Sequence, residues 1–292
     1  MKGFLEFWNR FWFSTFDPLP LSIFRVFLGA LTFAFYIGNY PNWERFYSAE
    51  GIPSLITSEL IRNNWWTIFS WTEGLIPIKI YWGIALFCSI LFTIGLKTRF
   101  ATILLYIIQT SMNIRDNSVI NGEDLIFRML LFYSCFAPLN HCLSIDNLLN
   151  KKKKHKSLPI VWALRAMQIN VALIYLVNVP NKLTHDIAWL NGEALYWTVV
   201  NGMWSYGVLG ELFCKWNCLI SKIGTYGSLF IEGTFPIFVC FKETRIFSIA
   251  ALAALHIGIA IFLANVTFFT LAMVCAMWLF VPGGFVRRKF KF

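Results

Sequence analysis

Apolar residues fall along the chain in long unbroken runs rather than at the spacing of half-buried strands or of surface helices. Eight runs approach or reach the length that crosses a bilayer, about 20 residues for a helix. They are Leu21–Tyr40, Ile76–Leu96, Phe100–Asn113, Asp124–Leu139, Leu158–Val179, Ile223–Phe241, Ile246–Leu263 and Val266–Val281. The third and fourth are short and carry polar residues, which predicts tilted or internally packed helices. Pro41, Pro77, Pro138, Pro159, Pro180 and Pro282 sit at or near run ends, where a missing N–H is tolerated. Before the first run, Met1 to Pro20 is rich in Phe and Trp but broken by Glu6, Arg10 and Asp17. No small-residue cleavage site follows an apolar core, so this segment reads as an interfacial amphipathic helix and not a signal peptide.

The composition agrees with that pattern. The chain has 292 residues, 58% hydrophobic and 14% charged. Soluble domains average about 25% charged residues and roughly 45–50% apolar ones. One soluble core cannot hide so much apolar surface. The predicted fold is therefore all-α: a polytopic integral membrane helical bundle of about eight transmembrane helices, forming one domain over 1–292. Little length remains for a soluble catalytic domain, and no nucleic-acid partner is expected. The lipid bilayer is the first partner.

The net charge of +10 is explained by cytoplasmic loops. With the N-terminus inside, Lys2, Arg10, Lys97, Arg99, Lys151 to Lys154, Lys156, Lys242, Arg245, Arg287, Arg288, Lys289 and Lys291 are cytoplasmic, which makes 15. Six fall outside: Arg45, Arg62, Arg115, Lys182, Lys215 and Lys222. Both termini are predicted cytoplasmic. The run KKKKHK at 151–156 is then an ordinary retention signal. The outer segments Pro41 to Leu75 and Asn181 to Lys222 hold most of the interfacial tryptophans.

The seven cysteines show no CxxC spacing, and Cys88, Cys135, Cys240 and Cys275 sit in apolar runs as small hydrophobes. Cys214 and Cys218, in CKWNC, are a close pair, either bonded or free. No HExxH or Cys/His array is present, so no metal is expected. Nor is there a GxGxxG, a P-loop or a GxSxG.

Charges inside a span are costly and mark partners, cavities or function. Arg25, Arg128, Arg165, Glu232 and His256 lie in the first, fourth, fifth, sixth and seventh runs and are predicted to face the bundle interior. The arginines are candidates to pair with Asp17, Asp124, Asp146 or Glu232. Lys182 follows Val179-Pro180-Asn181 at the outer end of the fifth run. A lysine between an apolar helix end and an aromatic-rich segment is partly desolvated, which favours the uncharged, basic form. It reads either as a catalytic base or as an interfacial anchor snorkelling to headgroups.

Five segments, in order, resemble the membrane half of the vitamin K-dependent gamma-glutamyl carboxylases and the wider HTTM family that contains them. DPLPLSIFRVFLGAL at 17–31 resembles their opening helix, and GLKTRF at 95–100 their Gly-Leu-x-x-Arg turn. NHCLSIDNLL at 140–149 is similar to their Asn-His-x-x-Ser-x-Asp-x-Leu-Leu. PIVWALRAMQINVALIYLVNVPNKL at 159–183 matches their proline-led helix without a gap, and the helix around His256 their His-containing penultimate helix. The likeness covers residues 17–282.

That resemblance implies an activity. In the carboxylases a lysine deprotonates vitamin K hydroquinone, and oxygen turns the anion into a strong base. That base removes the γ-proton of a glutamate, CO2 adds, and the vitamin leaves as its epoxide. The lysine matches Lys182, and Ala188-Trp189 with Gly192 resembles the family's Asp-Trp-x-x-Gly. The resemblance thus implies a carbon–carbon lyase that uses reduced vitamin K or a related membrane quinol on a peptide or protein substrate. Lys182, Glu123, Asp124 and His185 become the candidate catalytic residues, with Asp186 a polar helper. Trp189, Trp197 and His256 become the candidate cofactor-binding residues.

Two departures stand out. The carboxylases' histidine after asparagine would follow Asn121, but Gly122 and Glu123 stand there. Their large lumenal domain has no counterpart within these residues. Asn121-Gly-Glu-Asp124 looks instead like shorter bacterial members, which implies a bacterial inner membrane. The competing expectation is a non-enzymatic or differently acting HTTM protein that serves peptide maturation or secretion with a partner.

Overall fold

The computed structural model describes residues 2–47, 67–68, 75–115, 121–149, 158–200 and 218–290. All regular structure in these residues is helical. The helices are α1 (Lys2–Phe13), α2 (Leu19–Gly38), α3 (Tyr40–Tyr47), α4 (Leu75–Ile94), α5 (Thr98–Arg115), α6 (Gly122–Ser134) and α7 (Ile145–Leu149). They continue as α8 (Trp162–His185), α9 (Ile187–Asn191), α10 (Ala194–Val200), α11 (Cys218–Phe238), α12 (Arg245–Phe262), α13 (Thr267–Met277) and α14 (Gly283–Phe290). A 3-10 turn, Trp278–Phe280, follows α13. An isolated bridge joins Thr15 to Ile160.

Each of the eight apolar runs is a helix. Among the described residues, three are long and apolar enough to cross a membrane: Leu19–Gly38, Trp162–His185 and Arg245–Phe262. They become four if Thr267–Phe280 and Gly283–Lys289 together make one span. Helix α6 has only 13 residues, about 20 Å at 1.5 Å per residue, short of the roughly 30 Å hydrocarbon layer. The fifth run was expected to end at Val179, before Pro180, yet α8 continues to His185. A proline removes one backbone bond, and Thr184 Oγ1 holds this last turn by donating to the Pro180 carbonyl at 2.9 Å. The pair Cys214 and Cys218, the lysine run and Trp65, Trp66 and Trp71 concern side chains outside those described.

The chain divides into two compact units. The first comprises Met1–Leu164 and Pro282–Phe292. Here α2 packs on α4, α4 on α5, α5 on α6, and α14 returns onto α2. Gly29 permits the α2–α4 approach, because a Cβ there would meet the backbone of Thr93.

Arg25 on α2 is fully buried and donates to the main-chain carbonyls of Leu139, at 3.3 Å, and Leu143. Asp146 accepts from the N–H groups of Lys97 and Thr98 at 2.8 and 3.0 Å, capping α5 where Gly95 turns the chain with φ +72°. The Nη groups of Arg25 thus go to carbonyls left over where the helices end, and Asp146, one of the carboxylates expected to pair with Arg25, acts on its charge through space. A buried amide cluster lies nearby in sequence. Gln109 donates to Asn113 and Asp124 at 3.2 and 3.1 Å, and Tyr36 donates to Gln109 at 3.0 Å.

The start of α2 is written by DPLP. Asp17 accepts from the Leu19 N–H at 3.1 Å, and Pro18 and Pro20 occupy a first turn whose N–H groups would lack partners anyway. Asp17 also takes a bidentate pair of bonds from Arg287 of α14, at 2.5 and 3.0 Å. Arg287 holds the Asp17 carboxyl below the usual carboxylate range, against a smaller opposing effect of burial.

A carboxyl depressed in the folded state stabilises above its unfolded titration, and the gain is lost as pH falls through the folded value. Both side chains are part-exposed, so the expected worth is about 1 kcal/mol at most. Asp17→Asn should therefore unfold at lower temperature than wild type at pH 7. Thermal unfolding in detergent should show the difference closing below about pH 4.

The second unit, Arg165–Val281, holds the body of α8 with α9 to α13. In it α12 packs on α13 and on α11, and α9 and α10 lie on α11. Arg165 donates to Gln168 at 2.9 Å, and Gln168 passes a donor to the Leu279 carbonyl at 2.6 Å.

Candidate functional site

The second unit forms a half-open cavity of about 290 Å³. Its walls come from the last turn of α8, from α9 and α10, and from α11 and α12. Leu195, Leu255, Ile259, Phe262 and Leu263 make it largely apolar, and Gly224, Ala254 and Gly258 keep it open. Lys182 and Glu232 also line it.

Lys182 Nζ lies 2.6 Å from Glu232 Oε2, with side-chain exposures of 24% and 7%. The same Nζ sits 4.4 Å from the centroid of the Trp189 ring. Both are contacts of an ammonium; a neutral amine would gain little from either. Lys182, read from the sequence as a base or as an interfacial anchor, is one half of an ion pair in the cavity wall. Oε1 of Glu232 makes no hydrogen bond among the described residues.

The sequence between Lys182 and Val200 builds this wall locally. Asp186 caps α9 by accepting from the Ala188 N–H at 2.9 Å. Gly192, at φ +76°, ends α9 in the left-handed conformation that glycine adopts without cost. That five-residue helix sets Trp189 over Lys182. The hairpin is then fastened to α11 by hydroxyls. Ser221 accepts from the Tyr196 N–H at 3.1 Å and donates to the Gly192 carbonyl at 2.9 Å. Thr225 accepts from the Leu195 N–H at 3.1 Å. These hydroxyls supply bonds that the first turn of α10 cannot make internally.

Ser221 is buried, so Ser221→Ala leaves a donor and an acceptor unmatched, at a cost of about 1–3 kcal/mol. Hydrogen exchange across residues 187–200 should accelerate in this variant while α12 and α13 keep their protection. Unchanged exchange would mean that the seam does not hold the hairpin.

The structure brings together Lys182 and Trp189 from the candidate residues and adds Glu232, which the sequence marked as a buried charge in need of a cationic partner and which finds it in Lys182. His185 is exposed and bonded within its own turn, to Thr184 Oγ1 at 2.7 Å. Trp197 is 57% exposed, bonds to Glu193 at 3.4 Å and does not line the cavity. His256 is buried on α12, with Nε2 2.8 Å from the Tyr175 hydroxyl, and is absent from the wall although its neighbours line it. Glu123 and Asp124 belong to the first unit. There Asp124 closes a capping box by accepting from the Asn121 N–H at 3.1 Å. No group of three or more His, Cys, Asp and Glu able to hold a metal lies among the described residues.

Long apolar helices with outward-facing side chains and an ion pair in an apolar cavity define a helical membrane protein. The HTTM domain matches residues 13–284, across both units, and the chain belongs to the HTTM family. No solved structure matches it.

Proposed function

We propose that this HTTM protein is a quinol-dependent enzyme of the vitamin K-dependent gamma-carboxylase kind, acting on glutamate of a peptide or protein. The observation that carries the reading is the Lys182–Glu232 pair in the wall of an apolar cavity. Such a cavity suits a lipid-soluble ring system with a polar group: mostly apolar walls, a few convergent polar atoms, and a volume near the lower end for small-molecule pockets. The residues present therefore fit a membrane quinol.

Trp189, Leu255 and Phe262 would flank the ring, with Lys182 and Glu232 at its hydroxyl. The quinol, when bound, supplies with oxygen the strong base for the glutamate γ-proton. The chain's part is to bind the ring, orient its hydroxyl, exclude water and handle one proton. Exclusion of water makes the Lys182 charge count for more than it would in bulk solvent.

The same proposal takes residues 1–292 as one multi-pass domain of eight spans, with both termini cytoplasmic in a bacterial inner membrane. The 15-to-6 distribution of Lys and Arg supports that orientation.

Mass spectrometry of proteins and peptides from cells with and without the chain tests the activity. The expected result is a glutamate mass increase of one CO2 that requires the chain and Lys182. Peptides whose maturation or export depends on the chain but whose glutamates stay unmodified would overturn it in favour of a partner-dependent role in secretion.

A further inference from the structure

We infer that the cavity carries a second polar station, the Ser228 hydroxyl, and that it binds the oxygen of a para-quinol opposite the one held at the Lys182–Glu232 pair. The inference rests on the quinol reading above and deepens it, by narrowing the ligand to rings with two oxygens in para positions and naming the residue that reads the second.

A hydroxyl in a mostly apolar wall orients a ligand, because few other groups there can satisfy a polar atom. The polar side chains of this wall are Lys182, Trp189, Thr198, Thr225, Ser228 and Glu232. Three of them already meet: Lys182 Nζ lies 2.6 Å from Glu232 Oε2 and 4.4 Å from the centroid of the Trp189 ring. Glu232 is 7% exposed, and its Oε1 makes no hydrogen bond among the described residues, so the pair keeps a polar atom for a ligand.

Ser228 precedes Glu232 by four residues on α11. The two side chains therefore share one helix face and start about 6 Å apart along the axis. The oxygens of a para-quinol lie across one six-membered ring, a separation close to the helical pitch of about 5.4 Å. Space for the ring comes from α12, where a Cβ on Gly258 would meet nothing within 4 Å.

The Ser228 hydroxyl is available for this role. It donates to the Thr225 carbonyl at 2.8 Å, and no N–H or O–H among the described residues donates to it. A serine oxygen has two lone pairs, so it accepts from a quinol O–H while keeping its own bond. Rotated, the same hydroxyl donates to a quinone carbonyl. It serves the reduced and the oxidised ring without any change of charge.

The other hydroxyls of the wall are placed differently. Thr225 is 1% exposed, and its oxygen already accepts from the Leu195 N–H at 3.1 Å. It lies seven residues from Glu232, about 10 Å along α11 and beyond the far side of a single ring. Thr198 donates to the Ala194 carbonyl at 2.8 Å and stands on α10, not on the helix that carries Glu232.

The test measures anaerobic binding to full-length protein in nanodiscs, with empty discs as the blank. One ligand is vitamin K hydroquinone. The other is the matching naphthol, with the same methyl group and chain but a single hydroxyl. Wild type should bind the hydroquinone about tenfold more tightly, the worth of one buried hydrogen bond. Ser228→Ala should lose that preference by weakening the hydroquinone alone. Ser228→Thr, which keeps a hydroxyl, should restore most of it, and Thr198→Val should leave it as in wild type.

A preference that survives in Ser228→Ala, or that Thr198→Val abolishes instead, overturns the assignment and leaves the functional reading standing. So does a wild type that binds both ligands equally. Weakening of both ligands alike in Ser228→Ala marks Ser228 as a packing residue and overturns the assignment too. A wild type that binds neither ligand removes the functional reading and this assignment with it.

Discussion

Replacing Lys182 by methionine is expected to cut hydroquinone consumption by about 100-fold or more, with the protein still inserted and folded. Methionine fills much the same volume but leaves Glu232, 7% exposed, without its 2.6 Å partner. A carboxylate left alone in an apolar wall takes up a proton rather than stay charged. The single substitution thus removes the positive charge and silences the carboxylate together. Lys182→Arg separates charge from lone pair. Guanidinium stays protonated and cannot accept the quinol proton, so activity should stay about as low as in Lys182→Met although the ion pair is kept. Comparable monodispersity of the three proteins in detergent establishes that folding is not the cause. Full activity in Lys182→Met would remove the pair from the chemistry altogether.

Arg25→Ala should produce the largest loss of stability, roughly 3–5 kcal/mol. The guanidinium is fully buried on α2 and serves the carbonyls of Leu139 and Leu143. Truncation strands both acceptors and opens a hole the size of the side chain. Arg25→Lys keeps a charge but cannot fork to two carbonyls in the same way, so an intermediate loss is expected. The measurement is the temperature at which the detergent-solubilised monomer peak disappears on size exclusion. Equal temperatures for Arg25→Ala and wild type would show that the carbonyls find other donors.

The helices were legible because their apolar runs are long and their ends carry proline, glycine and polar residues. Their membrane-crossing lengths were less so, since a run such as Asp124–Leu139 continues past the end of the helix, at Ser134. The quoted motifs were legible as a family likeness, but their meaning was not. Residues from 17–31, 95–100 and 140–149 meet through Arg25, Asp146 and a bond from the Cys142 N–H to Ser22 Oγ at 3.3 Å. These three motifs write a structural junction, not a site.

In the site itself, Lys182 and Trp189 could be read from local order because a single capped turn links them. Glu232 could not, since its partner lies 50 positions away and only folding reveals which cation a buried carboxylate finds. His185 and Trp197 were drawn in by proximity in sequence, which a helix converts into different faces.

The bonds that fasten the hairpin to α11 join neutral groups: Ser221 and Thr225 hydroxyls meet backbone N–H and carbonyl groups. Ionic strength has almost no purchase on such bonds. The Asp17–Arg287 clamp of the first unit is its opposite, a part-exposed charge pair that salt weakens. A salt titration and a temperature ramp therefore act as separate handles on the two units. Concentrated salt should loosen the tie between α2 and α14 while the cover of the cavity stays latched. The wall that α9 and α10 give the cavity would then answer to temperature and hardly at all to the surrounding electrolyte.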